Sequence, residues 1–196
     1  ENSFKGIYYG SHMFGSKPII NAVLALLRET EINAIVIDKK DDTGTEIAGE
    51  RFQKLIRPFK VHGARIVCRI VTLKDSVWAR NEGRRFSLKS KARPENFWKD
   101  YKGNTYLDPL YEEVAEYHVG VSLRAIADGC EMLNYDFIRL PSARDGKISD
   151  TKYALPLKGS SKETVAANMA EKRRVMQVFS RRLIAGVREV YPRASL

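Results

Sequence analysis

The chain has 196 residues, of which 43% are hydrophobic and 30% charged, the balance of a folded domain with a sizeable core. It contains no run of about 18 apolar residues, which excludes a membrane-spanning helix. Its formal charge of +10 is uneven. Residues 139–196 carry thirteen Lys or Arg against five Asp or Glu, so the basic excess belongs to the C-terminal part. No signal peptide is visible. Glu1 lies a few residues before the first predicted strand, which leaves open a removed leader and an extracytoplasmic location.

The elements alternate along the chain. Lys5 to Tyr9 reads as a strand, and a Gly/Ser-rich loop follows from Gly10 to Ser16. Pro18 opens a helix with Ile19, Ile20, Val23, Leu24 and Leu27 on one face. Asn33 to Asp38 is a near-continuous apolar run, as in a strand covered on both faces. Phe52, Leu55, Ile56 and Phe59 mark a second helix, weakened by Pro58. Ala64 to Leu73 gives a third strand. The polar stretch 74–108 is too long for a bare connection and is expected to be locally structured or functional. Asp108-Pro109 predicts a helix start with Asp108 as N-cap, and a stripe of Leu110, Val114, Tyr117, Val121 and Ala125. Glu131 to Ile138 is the fourth strand. Ser161 caps a long helix with Val165, Met169, Met176, Phe179, Leu183, Val187 and Val190 on one side. Pro192 stops it, and Ala194 to Leu196 reads as the start of a fifth strand.

Repeated βα units predict an α/β fold with a parallel sheet. Neither GxGxxG nor GxxxxGK[ST] follows a strand, which disfavours the nucleotide-binding open sheets. Polar residues cluster after successive strands instead, as they must where an active site lies at the C-terminal rim of a TIM barrel. Eight units need roughly 250 residues. The expectation is therefore a partial TIM-type barrel, one domain over 1–196 that stops after the fourth βα unit. Such a half barrel leaves open strand edges, so self-association into a homo-oligomer is expected if the barrel is incomplete.

Cys68 and Cys130 do not form a disulfide framework by number, and both fall in or beside core strands, so they read as buried thiols. His12, His62 and His118 show no ligand spacing, and neither a metal nor a cofactor is expected.

Asn134 to Ser142 is the most informative stretch. Asp136 and Arg139 end an apolar-flanked strand that Pro141 stops. Alternation puts Asp136 and Arg139 on opposite faces, so Arg139 must turn back at the rim to pair with Asp136. Asp136 is the first catalytic candidate, as nucleophile or electrostatic stabiliser. Asp38, Asp41 and Asp42 form a second cluster. Asp41 stands as partner acid and the others as sugar-hydroxyl ligands, although Asp42-Thr43-Gly44 also reads as a plain turn. Lys40 would donate to substrate or brace Asp136. Lys74 and Asp75 carry the same ambiguity. Tyr8 ends the first strand, and Trp98 offers a plane for a sugar ring or an anchor for its loop.

Several blocks resemble one family in order: Lys5-Gly6-Ile7-Tyr8, Ala34 to Gly44, Arg69-Ile70-Val71 leading to Lys74-Asp75, Trp98-Lys99-Asp100 with Gly103, Leu107-Asp108-Pro109, and Tyr135 to Ser142. Over residues 5 to about 146 the chain is similar to the N-terminal half of the putative glycoside hydrolase TIM-barrel family, long catalogued as a domain of unknown function. Lys39 and Leu140 depart from its pattern, and residues 143–158 and the basic helix match poorly. The resemblance implies a carbohydrate-active barrel hydrolysing a polysaccharide with two carboxyl groups. The alternatives are a non-catalytic carbohydrate-binding barrel and, further off, a nucleic-acid or anionic-polymer module using Lys172-Arg173-Arg174 and Arg181-Arg182.

Overall fold

The computed structural model describes residues 4–155, 159 and 161–196. Four strands form one parallel sheet: β1 (Gly6–Tyr9), β2 (Ala34–Lys40), β3 (Arg65–Val71) and β5 (Met132–Asp136). Helices α1 (Lys17–Glu29), α2 (Gly49–Val61) and α4 (Glu112–Ala127) connect them, and α5 (Lys162–Val190) follows. The stretch after β3 holds a short helix, α3 (Ser76–Arg80), and strand β4 (Lys89–Ser90), which pairs antiparallel with β6 (Thr151–Lys152).

The strand order in the main sheet is β1-β2-β3-β5, the order of the chain. A doubly wound sheet reverses direction at a switch point; this one does not. Ser195 continues the series with a parallel bridge to Met132, and the Leu133 N–H donates to its carbonyl at 2.9 Å. The chain therefore has the parallel βα repeat of a TIM-type barrel, with four strands in place and a fifth begun.

Alternation sorts the strand residues. Tyr9, Ile35, Ile37, Ile66, Cys68, Ile70 and Leu133 meet Phe52, Ile56 and Phe59 of α2 and Val121 and Ala125 of α4 in one core. The opposite parity, Tyr8, Asp38, Arg69 and Asp136, lines the other face. A second core joins Leu73, Trp98, Tyr106 and Leu107 to α4 and to Phe179, Leu183 and Val187 of α5. His118 is fully buried there, with its ring nitrogens 2.7 and 2.8 Å from the carbonyls of Val114 and Thr72, one of which takes its single N–H. Burial first, and then the Lys40 charge, pushes this imidazole down to about 3.

The structure corrects three sequence expectations. Cys68 and Cys130 form a disulfide with a Cα–Cα distance of 5.7 Å. Cys130 lies just ahead of β5, beside β3, and parallel neighbours bring the two sulfurs together although 62 residues separate them. The helix expected at Asp108-Pro109 begins at Glu112 instead. Asp108 is bonded elsewhere, accepting from the N–H groups of Leu110 and Ala154 at 3.1 and 2.7 Å. In α5 the buried stripe runs only from Val175 to Val187, while Val165, Met169 and Val190 are about half exposed. The cap at Ser161 is present and accepts from Thr164 N, and α2 runs through Pro58.

Candidate active site at the carboxyl ends of the strands

Four side chains on the face away from the helices form a continuous ladder across adjacent strands. The Tyr8 hydroxyl (β1) donates to Asp38 Oδ2 (β2) at 2.6 Å, and the Ser11 N–H adds a second bond at 3.1 Å. Arg69 (β3) donates from Nη1 to Asp38 Oδ1 at 2.7 Å. Its Nε and Nη2 reach Asp136 Oδ2 (β5) at 2.9 and 2.7 Å. The Phe137 N–H donates to Asp136 Oδ1 at 2.6 Å. The register explains the alignment, since Asp38 sits opposite Arg69 in β2–β3 and Asp136 one step on, opposite Val71.

The ladder runs from buried to open. The Asp38 side chain is 4% exposed and that of Asp136 is 44% exposed. Every group facing Asp136 is a donor, so its reachable oxygens take the part of an acceptor or nucleophile. Burial would lower the Arg69 pKa, but the hydrogen bonds and charges of Asp38 and Asp136 outweigh it and raise it above its ordinary value. Burial, and then the bond to Asp38, pushes the Tyr8 phenol up to about 12, so it stays a donor at neutral pH.

The expected Arg139–Asp136 pair does not form. Phe137 has a left-handed backbone, φ 51°, which breaks the alternation and sends the chain away from the sheet. Arg139 pairs with Asp145 instead, at 2.7 and 3.0 Å. Its guanidinium holds the Asp145 carboxyl well below the usual range. The partner of Asp136 is Arg69, which sequence reasoning passed over as a candidate. The available signal was charge placement: Arg65 and Arg69 are the two cations in the otherwise apolar strand Arg-Ile-Val-Cys-Arg-Ile-Val, and both share the parity of the open face.

Lys40 does not reach this ladder either. Lys39 faces the helices by alternation with Ile35 and Ile37, and a register shift between Asp38 and Lys40 turns Lys40 to the same side. Lys39 Nζ meets Asp128 at 2.9 Å and lies 5.1 Å from the Phe52 ring centre. Lys40 is fully buried, 2.9 Å from Asp75 Oδ2 and 5.8 Å from the Tyr117 ring centre. Burial pushes its ammonium down, and the Asp75 charge opposes that.

Asp75 is structural as well. It caps α3 by accepting from Trp78 N at 2.7 Å and takes the Tyr117 hydroxyl at 2.9 Å. Asp41 holds its own turn: its Oδ1 accepts from Thr43 N, Thr43 Oγ1 and Thr45 N. That is the turn reading of the segment, and it engages one oxygen of the carboxylate expected as partner acid. Asp42 is 43% exposed and 3.3 Å from Lys74, which also lies 3.2 Å from Asp100. Trp98 is 2% exposed and donates Nε1 to the Lys147 carbonyl at 3.0 Å. It is an anchor and not a sugar platform. Of the neighbouring aromatics Tyr106 is buried and Tyr101 is 77% exposed. Among the described residues no group of three or more His, Cys, Asp or Glu is placed to hold a metal ion, and no helix is long and apolar enough to cross a membrane.

A parallel βα repeat with an exposed carboxylate braced by arginine at the strand ends is the architecture of a glycoside hydrolase-like domain. The chain belongs to the family described as "Putative glycosyl hydrolase domain", whose model matches residues 6–185. That match takes in residues 143–158 and most of α5, where the resemblance read from sequence had stopped. No curated protein matches the sequence.

Solved structures share the fold. A hypothetical protein from Ruminiclostridium thermocellum superposes with a TM-score of 0.73 at 23% identity, covering 97% of this chain and 95% of that one. The α-galactosidase AgaB of Geobacillus stearothermophilus gives 0.64 at 13% identity over 99% of this chain. The α-galactosidase of Lactobacillus brevis gives 0.63 at 13% over 98%. The chain spans only about a quarter of these galactosidases, 27% and 26% of their lengths.

Proposed function

We propose that the domain hydrolyses glycosidic bonds of a polysaccharide, with Asp136 as nucleophile or electrostatic stabiliser and Arg69 as its positioning residue. The observation that carries this reading is the Asp136 carboxylate itself: exposed at a strand end, faced only by donors, and fixed from two sides by Arg69 and the Phe137 N–H. Such a carboxylate can attack an anomeric carbon or stabilise an oxocarbenium-like transition state. Tyr8 would contact substrate beside it. Hydrolysis also needs a general acid, about 5–5.5 Å away for retention or 6.5–9.5 Å for inversion. Asp41 holds its turn through Oδ1, and no hydrogen bond ties it to the ladder among the described residues. In this reading the chain supplies the first four units of a barrel, and the acid comes from a later strand. The disulfide suits an oxidising compartment, in keeping with an extracytoplasmic protein.

The test is release of reducing ends from a glycan panel that includes galactomannan, raffinose and stachyose. Asp136→Asn should lower turnover by about 10²–10⁴-fold, the range of a directly acting carboxylate, with an unchanged melting temperature. A second reading, saccharide binding without turnover, is favoured by the absence of an unpaired second carboxylate facing Asp136 among the described residues. Binding of the same glycans by wild type and Asp136→Asn alike, with no product from either, would select it.

A further inference from the structure

A second cavity, of about 600 Å³, lies outside the ladder, on the stretch that follows β3. That volume is within the range of small-ligand sites. Its frame is rigid. Lys89 and Ser90 of β4 pair with Lys152 and Thr151 of β6, and Lys89 is also bridged to Phe97 on the other side. Asp150 staples one wall: Oδ2 accepts from Ser90 Oγ and Oδ1 from Ala92 N, both at 2.8 Å, and its carbonyl takes Lys91 N at 2.7 Å. Trp98 fastens the opposite wall through its bond to the Lys147 carbonyl.

The lining charge is lopsided. Arg84, Arg93, Lys99 and Lys147 all border the cavity, against Glu95 and the already bonded Asp150. Among the described residues no carboxylate lies within ion-pair distance of these four cations, although Lys147 acts on Asp150 through space; what sets them apart from other unpaired surface cations is that they border one cavity. Arg84 and Lys89 lie 5.2 and 4.2 Å from the centre of the Phe97 ring, which is itself part of the lining. Cations without a carboxylate partner around one cavity, beside an aromatic ring, suit a saccharide unit that carries an anionic group. Carboxylate or sulfate would meet the guanidinium and ammonium donors, and the sugar C–H face would lie on Phe97.

We propose that this cavity is a subsite for an acidic saccharide unit, uronate or sulfated sugar, of the polymer whose hydrolysis is assigned above. The inference rests on that reading for its saccharide, but binding and turnover fail separately. Arg93, Lys99 and Lys147 are exposed and lie outside the ladder, so their replacement should leave the fold intact.

The experiment is affinity electrophoresis of the full chain carrying Asp136→Asn, through gels containing polygalacturonate, a sulfated galactan or neutral galactomannan, with Asp136→Asn/Arg93→Ala/Lys147→Ala beside it. An equal-charge control removes Lys172 and Arg173 from α5. Retardation by an acidic polymer is expected to weaken about tenfold or more on loss of Arg93 and Lys147, and much less on loss of the α5 pair. Retardation by galactomannan should not change between the variants. Equal losses from both pairs would mean general charge attraction and overturn the proposal. So would no retardation by either acidic polymer, or duplex DNA bound as tightly through the same two residues. Absent hydrolysis with intact Arg93-dependent binding would overturn the hydrolase reading alone.

Discussion

The end of β2 feeds two networks of opposite character. Asp38 turns to the open face and joins Tyr8, Arg69 and Asp136 in a ladder whose far member is reachable from solvent. Lys39 and Lys40, one and two residues later, turn to the helices and disappear into ion pairs with Asp128 and Asp75. Both networks are made of ordinary charged side chains a few ångströms apart, and residue type does not distinguish them. The face does: alternation puts Lys39 on the helix side, and the bulge brings Lys40 there as well. On the open face the last carboxylate, Asp136, is 44% exposed. On the helix face both lysines are buried in ion pairs and hold the scaffold.

That contrast can be broken first at its buried end. Asp75→Ala strands Lys40 without a counter-ion and removes the cap of α3. Stability should fall by about 3–5 kcal/mol, as for one half of a buried pair, which denaturant unfolding would read as a lower midpoint at unchanged slope. Reduction of the Cys68–Cys130 disulfide, also on the helix face, should cost about 2–4 kcal/mol, measured in the same way with and without reductant. At the open end the effects on stability shrink. Tyr8→Phe removes one hydrogen bond to Asp38 and should cost about 1 kcal/mol, while weakening glycan binding if Tyr8 faces the substrate. A larger stability loss for Tyr8→Phe than for Asp75→Ala would invert the assignment of the two faces.

The βα repeat is readable because β2 and β3 are apolar runs rich in Ile and Val and the helices carry apolar residues at helical spacing. The fifth-strand start at Ala194 to Leu196 is readable from the stop at Pro192, and Ser195 does lie beside Met132. The site was readable in part. Asp136 stands at a strand end as expected, but the strand closes at Phe137 and not at Pro141. Its partner was misread because one residue, Phe137, takes a left-handed turn that no bulky side chain favours, so counting by twos fails just past the strand. Lys40 was misread at the bulge, where counting by twos fails again. Three charges in a row at the end of an apolar strand, Asp38-Lys39-Lys40, were the available hint that the alternation stopped there. The disulfide was hidden because it joins positions 62 apart in sequence, and only the parallel pairing of β3 with β5 makes them neighbours.

Gly44 carries a mechanical consequence. A Cβ there would sit 1.9 Å from Asp75 Oδ1, and Ser76 and Val77 donate their N–H groups to the Thr43 carbonyl at 2.8 and 3.1 Å. The loop after β2 and the loop after β3 are thereby clasped without a gap and move as a single body. Their junction is a fixed joint between the ends of the two strands that carry Asp38 and Arg69.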